Sequence, residues 1–117
     1  MSYGFLKANM IEIEKLQQYY RNDKVRITAH CAERCRSRGI EAADIRAAVT
    51  KGEIIEQYPE DFPFPSCLVY GKDEGGRILH VCMSDNGEGS EIITAYEPNK
   101  DKQVFADDLK TRLEKDG

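Results

Sequence analysis

The chain has 117 residues and a net charge of −4, with 40% hydrophobic and 32% charged residues. That balance reads as one globular domain over residues 1–117 and excludes a disordered chain or one needing disulfide staples. No apolar run approaches a membrane span and no secretory leader pattern is present, so a cytoplasmic protein is expected, with Cys31, Cys35, Cys67 and Cys82 as thiols.

Leu6, Met10, Ile13, Leu16 or Gln17, and Tyr20 recur at steps of three and four, which predicts an amphipathic helix over about residues 7–21. Asn22 and Asp23 end it, and Val25, Arg26 and Ile27 read as a short strand. Thr28 stands where an N-cap belongs. A second helix then runs to Arg38, with Gly39 as its left-handed terminator. A third is expected over residues 42–51, with Ile45, Ala48 and Val49 as its apolar stripe.

Beyond Gly52 the period changes. Residues 53–58, 66–71, 77–84 and 91–97 are strand candidates. The first pair is separated by a loop containing Pro59, Pro63 and Pro65. The others are joined by turns at residues 73–76 and 85–89. Val104, Phe105, Leu109 and Leu113 predict a closing helix over about residues 102–115. The fold expected is α+β: N-terminal helices, then a four- to five-stranded antiparallel meander, then a C-terminal helix.

Centring the first turn between Glu74 and Gly75 pairs Cys67 with Cys82 and Val69 with His80. Centring the second at Gly87 pairs His80 with Thr94 and Cys82 with Ile92. Alternation then gives a helix-facing side of Leu68, Tyr70, Leu79, Val81, Met83, Ile93 and Ala95. The other side is mixed: Cys67, Val69, Ile78, His80, Cys82, Ile92, Thr94 and Tyr96. A histidine, a hydroxyl and a phenol clustered on an open sheet face make a binding-site candidate.

Charge is uneven within this acidic chain. From Arg21 to Arg38 there are six basic residues (Arg21, Lys24, Arg26, Arg34, Arg36, Arg38) against Asp23 and Glu33. A spacing of four places His30, Arg34 and Arg38 along one face of the second helix. A proton-transfer group beside two guanidinium groups suits phosphate chemistry, because the planar forks bind phosphate oxygens in pairs. The alternative is a solvated helix face whose arginines pair with Glu33, Glu41 or Asp44. His80 could share acid–base roles with His30 if the open sheet face meets this helix. Zinc is not expected: the cysteine spacings match no zinc module, and buried free thiols are the commoner case.

Taken in order, Ile27-Thr28, His30, Arg34, Arg38-Gly39-Ile40, Gly52-Glu53-Ile54-Ile55, Tyr58-Pro59, Leu79-His80-Val81, and Thr94, Tyr96 and Pro98 carry a resemblance. The pattern resembles the bacterial family of unknown function numbered 4258, which is similar in outline to the RelE-like and BrnT-like toxins of toxin–antitoxin pairs. The resemblance implies a RelE-like fold and a ribonuclease that cuts RNA without metal or other cofactor, held in check by an antitoxin protein. It implies His30, His80 and Arg34 as catalytic, and Arg38, Thr94 and Tyr96 as substrate-binding. The rival expectation is a non-catalytic module of the same fold that docks an acidic partner through its basic helix.

Overall fold

The structure, a computed structural model, describes residues 10–114. Three helices precede most of the sheet: α1 (Ile13–Arg21), α2 (Ala29–Ser37) and α3 (Ala42–Thr50). The strands are β1 (Val25–Arg26), β2 (Glu53–Tyr58), β3 (Ser66–Lys72), β4 (Ile78–Ser84) and β5 (Ser90–Tyr96), in the spatial order β1-β5-β4-β3-β2. Strands β2 to β5 pair antiparallel with their sequence neighbours, whereas β1 runs parallel to β5. The sheet is therefore mixed, not wholly antiparallel as the sequence suggested. No helix among the described residues is long and apolar enough to cross a membrane.

Helix α2 begins and ends where the sequence placed it. Thr28 accepts a hydrogen bond from the Cys31 N–H at 3.1 Å. At the other end, Ile40 N–H reaches the Cys35 carbonyl and Gly39 N–H the Arg36 carbonyl, both at 2.9 Å. Those two bonds form a Schellman turn, and Gly39 supplies the required positive φ of 73°. In α3, the Asp44 carboxylate accepts from the Glu41 N–H at 2.8 Å.

Helix α1 starts later than predicted. Residues 7–9 of the expected helix lie outside the described residues, and residues 10–12 are not helical. Gln57 explains this: its side chain bonds both backbone groups of Ile11, at 3.0 and 2.7 Å.

All three helices lie on one side of the sheet, and the core between them contains Leu16, Tyr20, Ile45, Ala48, Val49, Val69, Leu79, Val81, Met83 and Ala95. Gly71 lets α3 approach closely: a Cβ there would sit 1.9 Å from the Ala48 carbonyl oxygen.

The expected β3–β4 register is corrected by one residue and the β4–β5 register by two. Tyr70 pairs with His80, Leu68 with Cys82 and Cys67 with Met83. The turn is a three-residue loop closed by Asp73 and Arg77, with Gly76 at φ 89°. Cys67 and Val69 therefore join the core, while Leu68 and Tyr70 face away from it. On the other hairpin, His80 pairs with Tyr96 and Cys82 with Thr94. A bulge follows beyond Cys82, and it turns Ile92 inward and leaves Ile93 47% exposed, reversing the expected placement of both. His80, Cys82, Thr94 and Tyr96 do share the non-core face.

The expected C-terminal helix is absent among the described residues. Residues 98–114 form an irregular strap across the non-core face, with a single bridge between Phe105 and Arg112. Side chains take the backbone groups a helix would have used. Asn99 accepts from Val104 and Phe105 N–H, and Asp108 accepts from Lys110 and Thr111 N–H.

Candidate functional site

Because β1 is two residues long, it covers only Ser90 and Glu91 of β5. Beyond that point the outer edge of β5 is bonded by side chains from α2. The Cys31 thiol approaches the Ile92 and Ile93 carbonyls at 3.6 and 3.5 Å. Arg38 donates through Nη1 to the Thr94 hydroxyl at 3.2 Å and the Ala95 carbonyl at 2.9 Å. Both Nη1 protons are thus used, which fixes the guanidinium and, among the described residues, leaves Nε and Nη2 without a partner.

The Arg38–Thr94 contact divides two grooves along α2 and β5. One, of about 380 Å³, is lined by His30, Arg34 and Thr94, with Thr28, Cys31 and Glu91. The other, of about 580 Å³, is lined by Arg38 and Tyr96 together with residues of the strap. His30, Arg34, Arg36 and Arg38 are exposed. Among the described residues none of these arginines has an ion-pair partner. The pairing with Glu33, Glu41 or Asp44 does not form, and Asp44 instead holds Arg77 at 3.3 Å.

His80 is placed differently. It is fully buried, lines neither groove, and packs edge-on against Phe105 with ring centroids 4.5 Å apart. Its Nε2 lies 2.7 Å from the Leu109 carbonyl, which can only accept, so Nε2 carries the proton. Nδ1 then accepts from the Tyr96 hydroxyl at 3.3 Å. Burial pushes the imidazole pKa below its ordinary value, only partly opposed by the Leu109 carbonyl and Glu56. Leu109 sits at φ 58°, a conformation that costs a branched side chain energy and that here presents its carbonyl to His80. Burial also raises the Tyr96 pKa, keeping the phenol protonated.

The two imidazoles therefore do not share a cleft. His30 and Arg34 meet Thr94 in one groove and Arg38 meets Tyr96 in the next, while His80 lies behind Tyr96 and Phe105, which line the larger groove.

Sequence reasoning missed Glu56, Phe105 and Arg112, which lie around His80, and Tyr58, which bonds Glu56. Arg112 grips Glu56 with two bonds of 3.0 Å, and the Tyr58 hydroxyl also donates to that carboxylate. Burial pushes the Glu56 carboxyl up, but these bonds outweigh it and hold its pKa below the usual range. The signal that could have found Glu56 is alternation along β2, once the bulge between Ile54 and Glu56 is allowed. No such signal existed for Arg112, whose segment reads as helix.

The cysteines do not converge. Cys67 and Cys82 lie on opposite faces of the sheet, and burial pushes their pKa values up to about 12 and about 11. No group of three His, Cys, Asp or Glu side chains among the described residues could hold a metal ion.

No curated protein and no solved structure matches the chain. The family model for a domain of unknown function (DUF4258) matches residues 27–97, the span from the residue before Thr28 to the end of β5 that carries both grooves' shared wall. The chain belongs to that family.

Proposed function

We propose that this protein is a toxin-like endoribonuclease of bacterial origin. It would bind single-stranded RNA along α2 and β5, cleave it by phosphoryl transfer, and be restrained by an antitoxin protein. The observation that carries this reading is the row of exposed arginines on α2, without carboxylate partners among the described residues, in a chain whose net charge is −4. An acidic protein that leaves its guanidinium groups unpaired beside a histidine offers a built position for an anion. The resemblance to RelE-like toxins supplies the substrate class and the expectation of a partner.

In this mechanism Arg34 holds a phosphodiester beside His30. The imidazole takes the proton of the neighbouring 2′-hydroxyl as that oxygen bonds to phosphorus. The bond from phosphorus to the 5′-oxygen breaks and the leaving oxygen takes a proton from water. The products are a 2′,3′-cyclic phosphate and a 5′-hydroxyl. Arg34 stabilises the extra negative charge as it develops on the phosphorane oxygens, and Arg38 holds the strand beside it. Thr94 and Tyr96 orient the strand. His80 is removed from the direct acid–base role and becomes a positioning residue that fixes the Tyr96 hydroxyl. No step in this scheme requires a metal.

Induced expression tests the reading in cells. Growth arrest with loss of RNA, abolished by His30→Ala and unaffected by Lys51→Ala, is the expected result. Arrest that survives His30→Ala would overturn it.

The second reading, a non-catalytic module docking an acidic protein, draws on the same arginines. It predicts association that is lost on Arg34→Glu and untouched by His30→Ala.

A further inference from the structure

The larger groove has two walls of different origin. One is Arg38 at the end of α2 together with Tyr96 on β5; the other is the strap, which contributes Lys102 and Arg112. Arg38 is tethered through Nη1 to β5, and Arg112 is tethered through Nε and Nη2 to Glu56. Among the described residues each guanidinium therefore keeps donors unused while its position is fixed by protein partners, an arrangement that lowers the ordering cost of gripping an anion. Tyr96 has its hydroxyl proton committed to His80 Nδ1, so what it offers a ligand is chiefly its ring.

Carboxylates also line this groove, at Glu97 and Asp101. Glu97 is already matched by Lys100 at 3.0 Å and Arg77 at 3.7 Å. The balance is cationic, with Arg38, Lys100, Lys102 and Arg112 against Glu97 and Asp101.

We infer that this groove is a second phosphate subsite, built by Arg38, Lys102 and Arg112 around the Tyr96 ring. It takes the phosphodiester of single-stranded RNA next to the one held at His30 and Arg34. The inference rests on the RNA reading of the α2–β5 surface and deepens it. Two observations favour a nucleotide strand over an acidic peptide: the guanidinium groups flank an aromatic ring, and the groove continues the His30 groove across the Arg38–Thr94 contact. Phosphate forks beside a stacking surface are how single strands are held without reading their sequence. The strap then has a chemical role as well as a covering one. It brings Arg112 into the same groove as Arg38.

The test is binding of a fluorescently labelled 2′-O-methyl RNA octanucleotide, which cannot undergo 2′-hydroxyl attack, by anisotropy across a salt series. Arg112→Ala and Lys102→Glu should each weaken binding by about five- to tenfold. Removing one phosphate-binding cation should also reduce the logarithmic salt slope by about 0.7. Lys51→Glu, a charge change equal to that of Lys102→Glu but outside the groove, should leave both quantities unchanged. The Lys102 side chain makes no hydrogen bond or ion pair among the described residues, so its variant keeps the test valid if Arg112→Ala loosens the fold.

Unchanged binding in both variants would overturn the subsite. So would displacement of the RNA by polyglutamate or by inorganic phosphate at equal molar concentration of anionic groups. The first would make the groove a peptide site and the second a free-phosphate site. Because the probe is uncleavable, failure of the cleavage mechanism would leave these results standing. Conversely, failure of the subsite would leave His30-dependent cleavage in place.

Discussion

The two faces of the sheet are sealed by different means. On the helix side, Val69, Leu79, Val81, Met83 and Ala95 are fully buried against α1, α2 and α3, and the seal is aliphatic. On the strap side, His80 is just as deeply buried, yet its cover is an irregular segment held by Arg112 on Glu56, Lys110 on Glu53, Phe105 on His80 and the Leu109 carbonyl. Apolar contact is non-directional and strong in sum, whereas the strap relies on a few directional groups. The difference teaches that burial alone does not make a residue part of the folding core. It also locates the changeable side of the molecule, since the strap wall belongs to the proposed RNA groove.

The comparison is broken most severely by Leu79→Ala. Removal of a fully buried leucine under α3 should cost about 2–5 kcal/mol, measured as a lowered urea midpoint. His80→Leu keeps the volume but leaves the Leu109 carbonyl and Tyr96 hydroxyl unpaired. It should cost about 1–3 kcal/mol and render residues 98–114 more sensitive to protease, while α2 stays protected. Equal loss of protection on both faces would mean that the strap and the helix layer unfold as one unit.

Acidification gives a smaller effect with a definite sign. The folded-state pKa of His80 lies below its unfolded value near 6.5, so the unfolded chain binds the additional proton first. The contribution of His80 is therefore fully present above about pH 6.5 and is lost as the pH falls from there through the folded pKa. Urea titrations at stepped pH should show this slope in the wild type and not in His80→Leu. Losses from Glu56, Asp73 and Asp85, whose pKa values are lowered, come in at more acidic pH. The smallest effect is expected for Glu56→Gln, which weakens a half-exposed ion pair by less than about 1 kcal/mol. It should shift protease sensitivity of the strap with little change in the global urea midpoint.

Much of the fold was legible because its signals are local. Thr28 and Gly39 bracket α2 by chemistry that needs no tertiary partner, and the apolar stripe of α3 matches its buried face. The β3–β4 register was misjudged by one residue because Asp73 and Arg77 close the loop through side-chain bonds, which shifts the turn's centre to Gly75. The strap was misread as helix for a similar reason. Its apolar spacing is helical, but Asn99 and Asp108 take the backbone donors.

For the candidate site, the sequence identified the arginine row on α2 and the polar cluster on the sheet. It could not show that Phe105 and Leu109 close over His80, because that depends on where residues 98–114 cross the sheet. The separation of the two histidines is a tertiary fact with no local signature.

The most direct test of the account is incubation of purified protein with a 5′-labelled single-stranded RNA, with the cleaved ends identified chemically. The account predicts fragments ending in 2′,3′-cyclic phosphate, formed by the wild type and at least a hundredfold more slowly by His30→Ala. RNA left intact by the wild type, or cut equally well by His30→Ala, would contradict it.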